Sequence, residues 1–316
     1  MPGLCDGRVV IITGAGRGLG RAYALELARQ GAAVVINDVD TFGTSAQAAR
    51  GQEPSGQAVE RSADQLVNEI VAAGGQAIAN YDDVADWSAA KRLVDQAVEA
   101  FGRLDVLVNN AGILRDRTIV SMSEEEWDSV IRVHLRGTAA MSHWASAYWR
   151  DLSKSGQAVD ARIINTTSGS GLYGSPSQGN YAAAKAGIAG FTITIALELG
   201  RYGVTVNAVA PAARTRLTDN LIKNDDFPPE RVAPLVVWLA SPESKDVTGR
   251  VFDFGGDWLS VAQSWRKGPI ARQGDGWASD DIGETLRDLL AKAAPNPSLF
   301  GTVLPENTGD DPATEA

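Results

Sequence analysis

The sequence predicts an α/β fold, a doubly wound parallel sheet forming a single domain with a C-terminal extension. Three observations predict it. Continuous apolar, β-branched runs recur at Arg8–Thr13, Ala33–Asp38 and Leu104–Asn109, as expected of strands buried on both faces. Segments of helical period separate these runs, which is the βαβ alternation of a parallel sheet. A glycine-rich turn, Gly14-Ala15-Gly16-Arg17-Gly18-Leu19-Gly20, joins the first strand to the first helix. Strand, glycine turn and helix in that order are the Rossmann-type arrangement for a diphosphate, because free N–H groups and a partial positive charge lie at the helix start.

The elements follow in order. A helical pattern runs from Arg21 to Gln30, and the second strand ends in Asp38. An acid there accepts hydrogen bonds from the adenosine ribose hydroxyls and repels the extra phosphate of NADP, so NAD is the expected cofactor. Arg17 in the turn is the dissenting residue, since a base there suits that phosphate. The Gly-x-Gly-x-x-Gly spacing is not met, and neither is a Walker loop. Residues 41–60 read as a long polar loop. A helix over 63–73 leads to a short strand, Gln76–Tyr81, followed by Asp82-Asp83-Val84, where Asp83 is either an adenine acceptor or a helix cap. An amphipathic helix over 87–101 precedes the fourth strand, which ends in Asn109-Asn110-Ala111-Gly112 at the ligand-binding edge.

Ser123-Glu124-Glu125-Glu126 is a capping box opening a long helical region to Trp149. It carries both histidines, His134 and His143, nine residues apart without cysteine partners, so no metal site is expected. Arg162–Thr167 is a fifth strand. After it, a Gly/Ser/Pro turn from Ser168 enters an Ala-rich helix with Tyr181 and Lys185 four residues apart and on one face. A phenol with a reference pKa of about 10 needs a neighbouring cation to act as a base near neutrality. A sixth strand over 204–210 ends at Pro211, residues 214–230 are a candidate lid, and Val251–Phe254 is the last strand expected. A further helix is expected over 280–292, and the end from Pro295 reads as disordered.

Bulk properties narrow the classes. The chain has 316 residues with a formal charge of −10, which argues against nucleic acid as a partner. No continuous apolar run approaches the ~20 residues of a membrane span. The one cysteine, Cys5, reads as a bystander thiol near a flexible terminus, in keeping with a reducing compartment. No signal peptide or peroxisomal address is legible, so a cytoplasmic location is expected. A serine-hydrolase reading fails, since Gly-x-Ser-x-Gly is absent and no histidine follows Ser168.

Taken together, these motifs resemble the short-chain dehydrogenase/reductase family. Thr13-Gly14-x-x-x-Gly18-x-Gly20, Asn109-Asn110-Ala111-Gly112, and Ser168 with Tyr181-x-x-x-Lys185 carry the resemblance over about residues 6–257. Within it the chain is most similar to the (3R)-hydroxyacyl-CoA dehydrogenase part of peroxisomal multifunctional enzymes, also called 17β-hydroxysteroid dehydrogenase type 4. Asn37-Asp38, Asn110–Arg117, Val133–Gly137 and Val232–Leu239 carry that nearer likeness. The resemblance implies an NAD-binding catalytic domain over 6–257, an extension over 258–294 and a tail over 295–316. It implies a catalytic Ser168, Tyr181 and Lys185, with His134 where the family has an asparagine. It places the cofactor against Thr13, Gly14, Gly16, Arg17, Gly18, Leu19 and Gly20, and against Asp38, Asp83 and Val84. Asn110, Ala111, Gly112, Tyr181, Lys185 and Pro211 complete that set. Pro211-Ala212 departs from the usual Pro-Gly.

The implied reaction is oxidation of a (3R)-3-hydroxyacyl-CoA, of fatty or steroid side-chain type, to the 3-ketoacyl-CoA. An acyl-carrier-protein ketoreductase and a hydroxysteroid or secondary-alcohol dehydrogenase are the alternatives. The implied partners are an acyl-CoA thioester, further copies in a homodimer or homotetramer, and a separate enoyl-CoA hydratase, with no membrane.

Overall fold

The computed structural model describes residues 2–39, 61–213, 227–255, 258–263, 265–272, 282–298 and 301. Its strands are β1 (Val9–Thr13), β2 (Ala33–Asn37), β3 (Gln76–Asn80), β4 (Val106–Asn109), β5 (Ala161–Thr166), β6 (Val204–Ala212), β7 (Val251–Gly255) and β8 (Trp258–Val261). They form one sheet in the order β3-β2-β1-β4-β5-β6-β7-β8. Every pairing is parallel except β7 with β8. The strand order reverses between β1 and β4, which opens a crevice at their carboxyl ends. The expected doubly wound α/β sheet is therefore the observed one.

Helices cover both faces because each strand alternates its apolar side chains between them. Val10 and Ile12 of β1 pack with α1 (Gly18–Arg29), α2 (Ser62–Ala72) and α8 (Ala233–Ala240). Val9 and Ile11 pack with α3 (Trp87–Phe101), α5 (Gly137–Lys154) and α7 (Gly179–Leu199). The layers leave only the carboxyl ends of the strands open to a ligand.

Four features differ from the sequence reading. The helical region after Ser123 is not continuous: α4 (Glu124–Ile131) and α5 are joined by a π-turn over Arg132–Arg136 that carries His134. A π-turn inserts an extra residue into the helical ladder, and no proline or other breaker announces it. The capping box at Ser123 and Glu126 is formed. Cys5 is not on a flexible terminus but fully buried, and burial pushes its thiol up to about 11. Strand β8, not expected, adds an antiparallel edge whose Leu259 and Val261 are exposed. Without an apolar alternation buried on one side, it had no periodic signal. Finally, Gly179–Tyr202 is by length and composition apolar enough to cross a bilayer, although no unbroken apolar run marks it. This segment packs along β5 and β6 as a core helix.

The expected loop lies outside the described residues, as do 214–226 of the expected lid and 299–300 and 302–316 of the tail. The described part of the extension holds α9 (Ile282–Lys292), with Leu286 and Leu290 exposed.

Candidate active site

The glycine turn is held by β4. The Thr13 hydroxyl accepts from the backbone N–H groups of Asn110 and Ala111 at 2.9 and 3.0 Å. In return the Asn110 amide donates to the Thr13 and Gly14 carbonyls at 3.0 and 3.1 Å. Gly14 has φ +61°, and a Cβ there would stand 2.8 Å from the Ala111 Cα, so only glycine allows the turn and strand end to meet this closely. Arg17, the N-cap of α1, makes no side-chain cap, which leaves the first N–H groups of this helix for another acceptor. A dinucleotide diphosphate fits those donors.

Asp38 stands beside this turn, its Oδ2 accepting from the Gly16 N–H at 2.9 Å. Asp83 accepts from the Ala85 N–H at 2.9 Å and pairs with Arg132 at 2.6 Å. The cap of α3 is Asp86, which accepts from Ser88 and Ala89. Val84 is buried next to these acids, and its Cγ2 would be 3.0 Å from a Cβ at Gly137. Pro211 lies in β6 opposite Phe254 of β7. Gly18, Leu19 and Gly20, read from the sequence as part of the turn, are the first residues of α1, which starts three residues before Arg21.

Ser168, Tyr181 and Lys185 come together at the carboxyl end of β5. Ser168 is the N-cap of the short helix α6 (Gly169–Tyr173), accepting from the Ser170 N–H at 3.2 Å. Its hydroxyl is near enough to Tyr181 to favour the phenolate, but burial outweighs that effect and raises the Tyr181 pKa. Lys185 is 3% exposed and donates to the Thr166 carbonyl at 2.5 Å. Desolvation lowers its ammonium to about 7. Its Nζ lies 5.6 Å from the Tyr181 ring centroid. The cation therefore points at the strand end, and Ser168 is the neighbour that favours the phenolate most directly.

His134 packs edge-on to Tyr181, with ring centroids 5.2 Å apart. Its Nε2 lies 2.8 Å from the Ile113 carbonyl and 3.0 Å from the Ile113 N–H, while the buried Nδ1 has no hydrogen-bonding partner. Burial, with the nearby Lys185 cation, lowers the imidazole to about 3, so it is neutral at ordinary pH. A Cβ at Gly112 would come within 2.3 Å of the His134 ring, so this glycine admits the histidine. His143 lies elsewhere, between Trp87 and Trp144.

Three residues not singled out from the sequence tie the Ser168–Tyr181 turn to the chain after β4. Asn180, fully buried, donates to the carbonyls of Arg115 and Glu126, both at 3.0 Å, and accepts from the Tyr181 N–H at 2.7 Å. Gln178 links Ser170 to Asp116. Their signal was weak, for amides and a carboxylate in a turn read as solvated. A groove of about 1210 Å³ between α3, α4 and α5 is lined by Trp87, Lys91, Arg132 and Trp144 and touches none of Ser168, Tyr181 or Lys185.

Residues 8–61 and 56–226 match the family model described as short chain dehydrogenase. The hydroxyacyl-CoA dehydrogenase ChsB1 of Mycobacterium tuberculosis is 41% identical over 95% of this chain and 93% of its own. The peroxisomal multifunctional enzyme type 2 of Mus musculus is 42% identical over 85% of this chain but only 34% of its own length. A crystal structure of a short chain dehydrogenase from Mycobacterium avium superposes with a TM-score of 0.83 at 52% identity, covering 95% of this chain and all of that one.

Proposed function

The chain belongs to the short-chain dehydrogenase family of oxidoreductases, and we propose that it oxidises a (3R)-3-hydroxyacyl-CoA to the 3-ketoacyl-CoA with NAD. The observation that supports this reading is the meeting of Ser168, Tyr181 and Lys185 at the end of β5, beside a glycine turn whose helix start has no side-chain cap. Bound along that turn, NAD supplies the hydride acceptor. Thr13, Gly14, Gly16, Gly18, Leu19 and Gly20 shape the turn for the diphosphate. Asp38 takes the adenosine ribose, which favours NAD over its phosphorylated form despite Arg17. Asp83 and Val84 border the adenine, while Asn110, Ala111, Gly112 and Pro211 border the nicotinamide side.

In this mechanism Tyr181 takes the proton of the substrate hydroxyl as the carbon-bound hydrogen leaves as hydride. Ser168 hydrogen-bonds the substrate oxygen and steadies it as it becomes a carbonyl. Lys185, held by the Thr166 carbonyl, would bind the ribose hydroxyls of the cofactor. Neutral His134, with its Nδ1 unpartnered, positions a water that hands the proton outward, the part an asparagine plays in the wider family.

The acyl-CoA substrate is supported by the full-length likeness to the mycobacterial hydroxyacyl-CoA dehydrogenase. The exposed Arg115, Arg117, Arg266 and Lys267 are suited to the CoA phosphates, although Arg117 also pairs with Glu126 at 3.3 Å. An α7 face exposing Leu197 suits a homodimer or homotetramer. The chemistry of such a substrate fits supply by hydration of an enoyl-CoA. Initial rates with 3-hydroxyacyl-CoAs of fatty and steroid type, an acyl-carrier thioester and a free secondary alcohol, each with NAD and NADP, test the proposal. Turnover confined to CoA thioesters with NAD is expected. Preference for the carrier thioester with NADP(H) would assign a ketoreductase instead.

A further inference from the structure

Asp116 follows β4 by seven residues and is close enough to Tyr181 to act on its charge. Its Oδ2 accepts from the Gln178 amide nitrogen at 3.0 Å, and the Gln178 amide oxygen accepts from the Ser170 hydroxyl at 2.7 Å. Gln178 is only 4% exposed, and the buried Asp116 Oδ1 has no hydrogen-bonding partner. The backbone on either side of this link is also joined: Arg117 N–H donates to the Ser177 carbonyl at 2.8 Å, and Arg117 bridges Gln178 in parallel. Ser177 has φ +64°, the one positive φ outside glycine among the described residues. A non-glycine residue holds that conformation only where its surroundings impose it. The turn that delivers Tyr181 is thus shaped from the chain after β4.

We propose that Asp116 is a positioning residue of the Ser168–Tyr181 centre, orienting Gln178 and Ser170 and acting electrostatically on Tyr181 across the turn. An unsatisfied buried carboxylate oxygen costs stability, and a positioning role would offset that cost. The direction of the effect is fixed by charge. A carboxylate near a phenol disfavours the phenolate, and Asp116 adds to burial in raising the Tyr181 pKa. The other groups facing Tyr181 are Ser168 from α6, which lowers it; Lys185 from α7, whose cation is turned to Thr166; and His134 from the π-turn, which is neutral. Around Asp116 itself stand the exposed Arg115 and Arg117, the latter paired with Glu126. Asp116 therefore opposes Ser168, and the two adjust, on top of the larger effect of burial, how firmly the phenol keeps its proton between turnovers.

The inference rests on Tyr181 being the acid-base group, and its deciding readout, a titration midpoint, needs no substrate. The alkaline titration of Tyr181 is followed by ultraviolet difference absorbance, with Tyr181→Phe as the blank for the remaining tyrosines. Asp116→Asn keeps an acceptor for Gln178 and removes the charge. Its midpoint is expected to fall by about half a unit or more, since the lost repulsion favours the phenolate. Asp116→Glu restores the charge and is expected to return the midpoint toward the wild-type value. Gln178→Ala leaves the charge in place, so its midpoint stays while kcat drops about three- to tenfold through loss of orientation. An Asp116→Asn midpoint equal to wild type, or an equal shift in Asp116→Glu, would overturn the proposal. A shifted midpoint in a protein that oxidises no 3-hydroxyacyl-CoA would instead overturn the substrate proposed above and leave Asp116 in its role.

Discussion

The glycine turn and the Ser168–Tyr181 centre lie at the same edge of one sheet yet are built in opposite ways. Around the turn, the Thr13 and Asn110 side chains have partners at every polar atom given above, and the backbone is stapled by four hydrogen bonds between 2.9 and 3.1 Å. Around Tyr181, the His134 Nδ1 and the Asp116 Oδ1 are buried without partners. There too a lysine is held with its ammonium lowered to about 7, and a tyrosine has its phenol raised. Buried polar groups are ordinarily satisfied, so these two atoms carry a stability cost. Under the proposed function the contrast is between a surface shaped to bind and one arranged for proton transfer.

The largest way to break that contrast is Tyr181→Phe. It removes the phenolic oxygen and nothing from the turn, so turnover is expected to fall by about three orders of magnitude or more. Calorimetric titration with NAD should show affinity within about twofold of wild type. A parallel loss of NAD affinity would mean that the two regions are one unit.

A smaller effect is expected from Lys185→Met, read as stability against pH. The folded-state pKa of Lys185 lies below its ordinary value, so the unfolded chain binds the extra proton between about 7 and about 10.5. Wild-type stability at this site therefore rises with pH across that window, and below it the burial penalty is present in full. Methionine carries no such penalty. The variant should be more stable by about 1–3 kcal/mol at pH 6, offset in part by the lost bond to Thr166, with the gain shrinking toward pH 10. Denaturant melts at the two pH values check the sign, and a variant less stable at pH 6 than at pH 10, relative to wild type, would contradict it.

The same contrast explains what could be read from the residues in order. Strands such as Val9–Thr13 and Ala33–Asn37 are buried on both faces, so their apolar runs were plain, and the strand–turn–helix passage at Gly14 to Gly20 followed from backbone needs alone. Tyr181 and Lys185 were legible because four residues on a helix share a face. The electrostatics of that face were not. Spacing pairs the lysine cation with the tyrosine, whereas the fold turns it to the Thr166 carbonyl and brings Ser168 and Asp116 to the phenol. Asp116 and Gln178 meet across 62 positions of chain, and no local pattern encodes such a meeting. The π-turn at His134 and the exposed edge strand β8 were hidden for a related reason, since both are departures from a regular period.

The most direct measurement is the end point of a racemic 3-hydroxyacyl-CoA incubated with excess NAD under product removal. Proton removal by Tyr181 with hydride transfer to bound NAD in one fixed orientation, for the proposed (3R) substrate, predicts that NADH formation stops when half of the thioester is consumed, leaving the (3S) form. Consumption of both forms, of the (3S) form alone, or of neither would contradict oxidation of a (3R)-3-hydroxyacyl-CoA at this site.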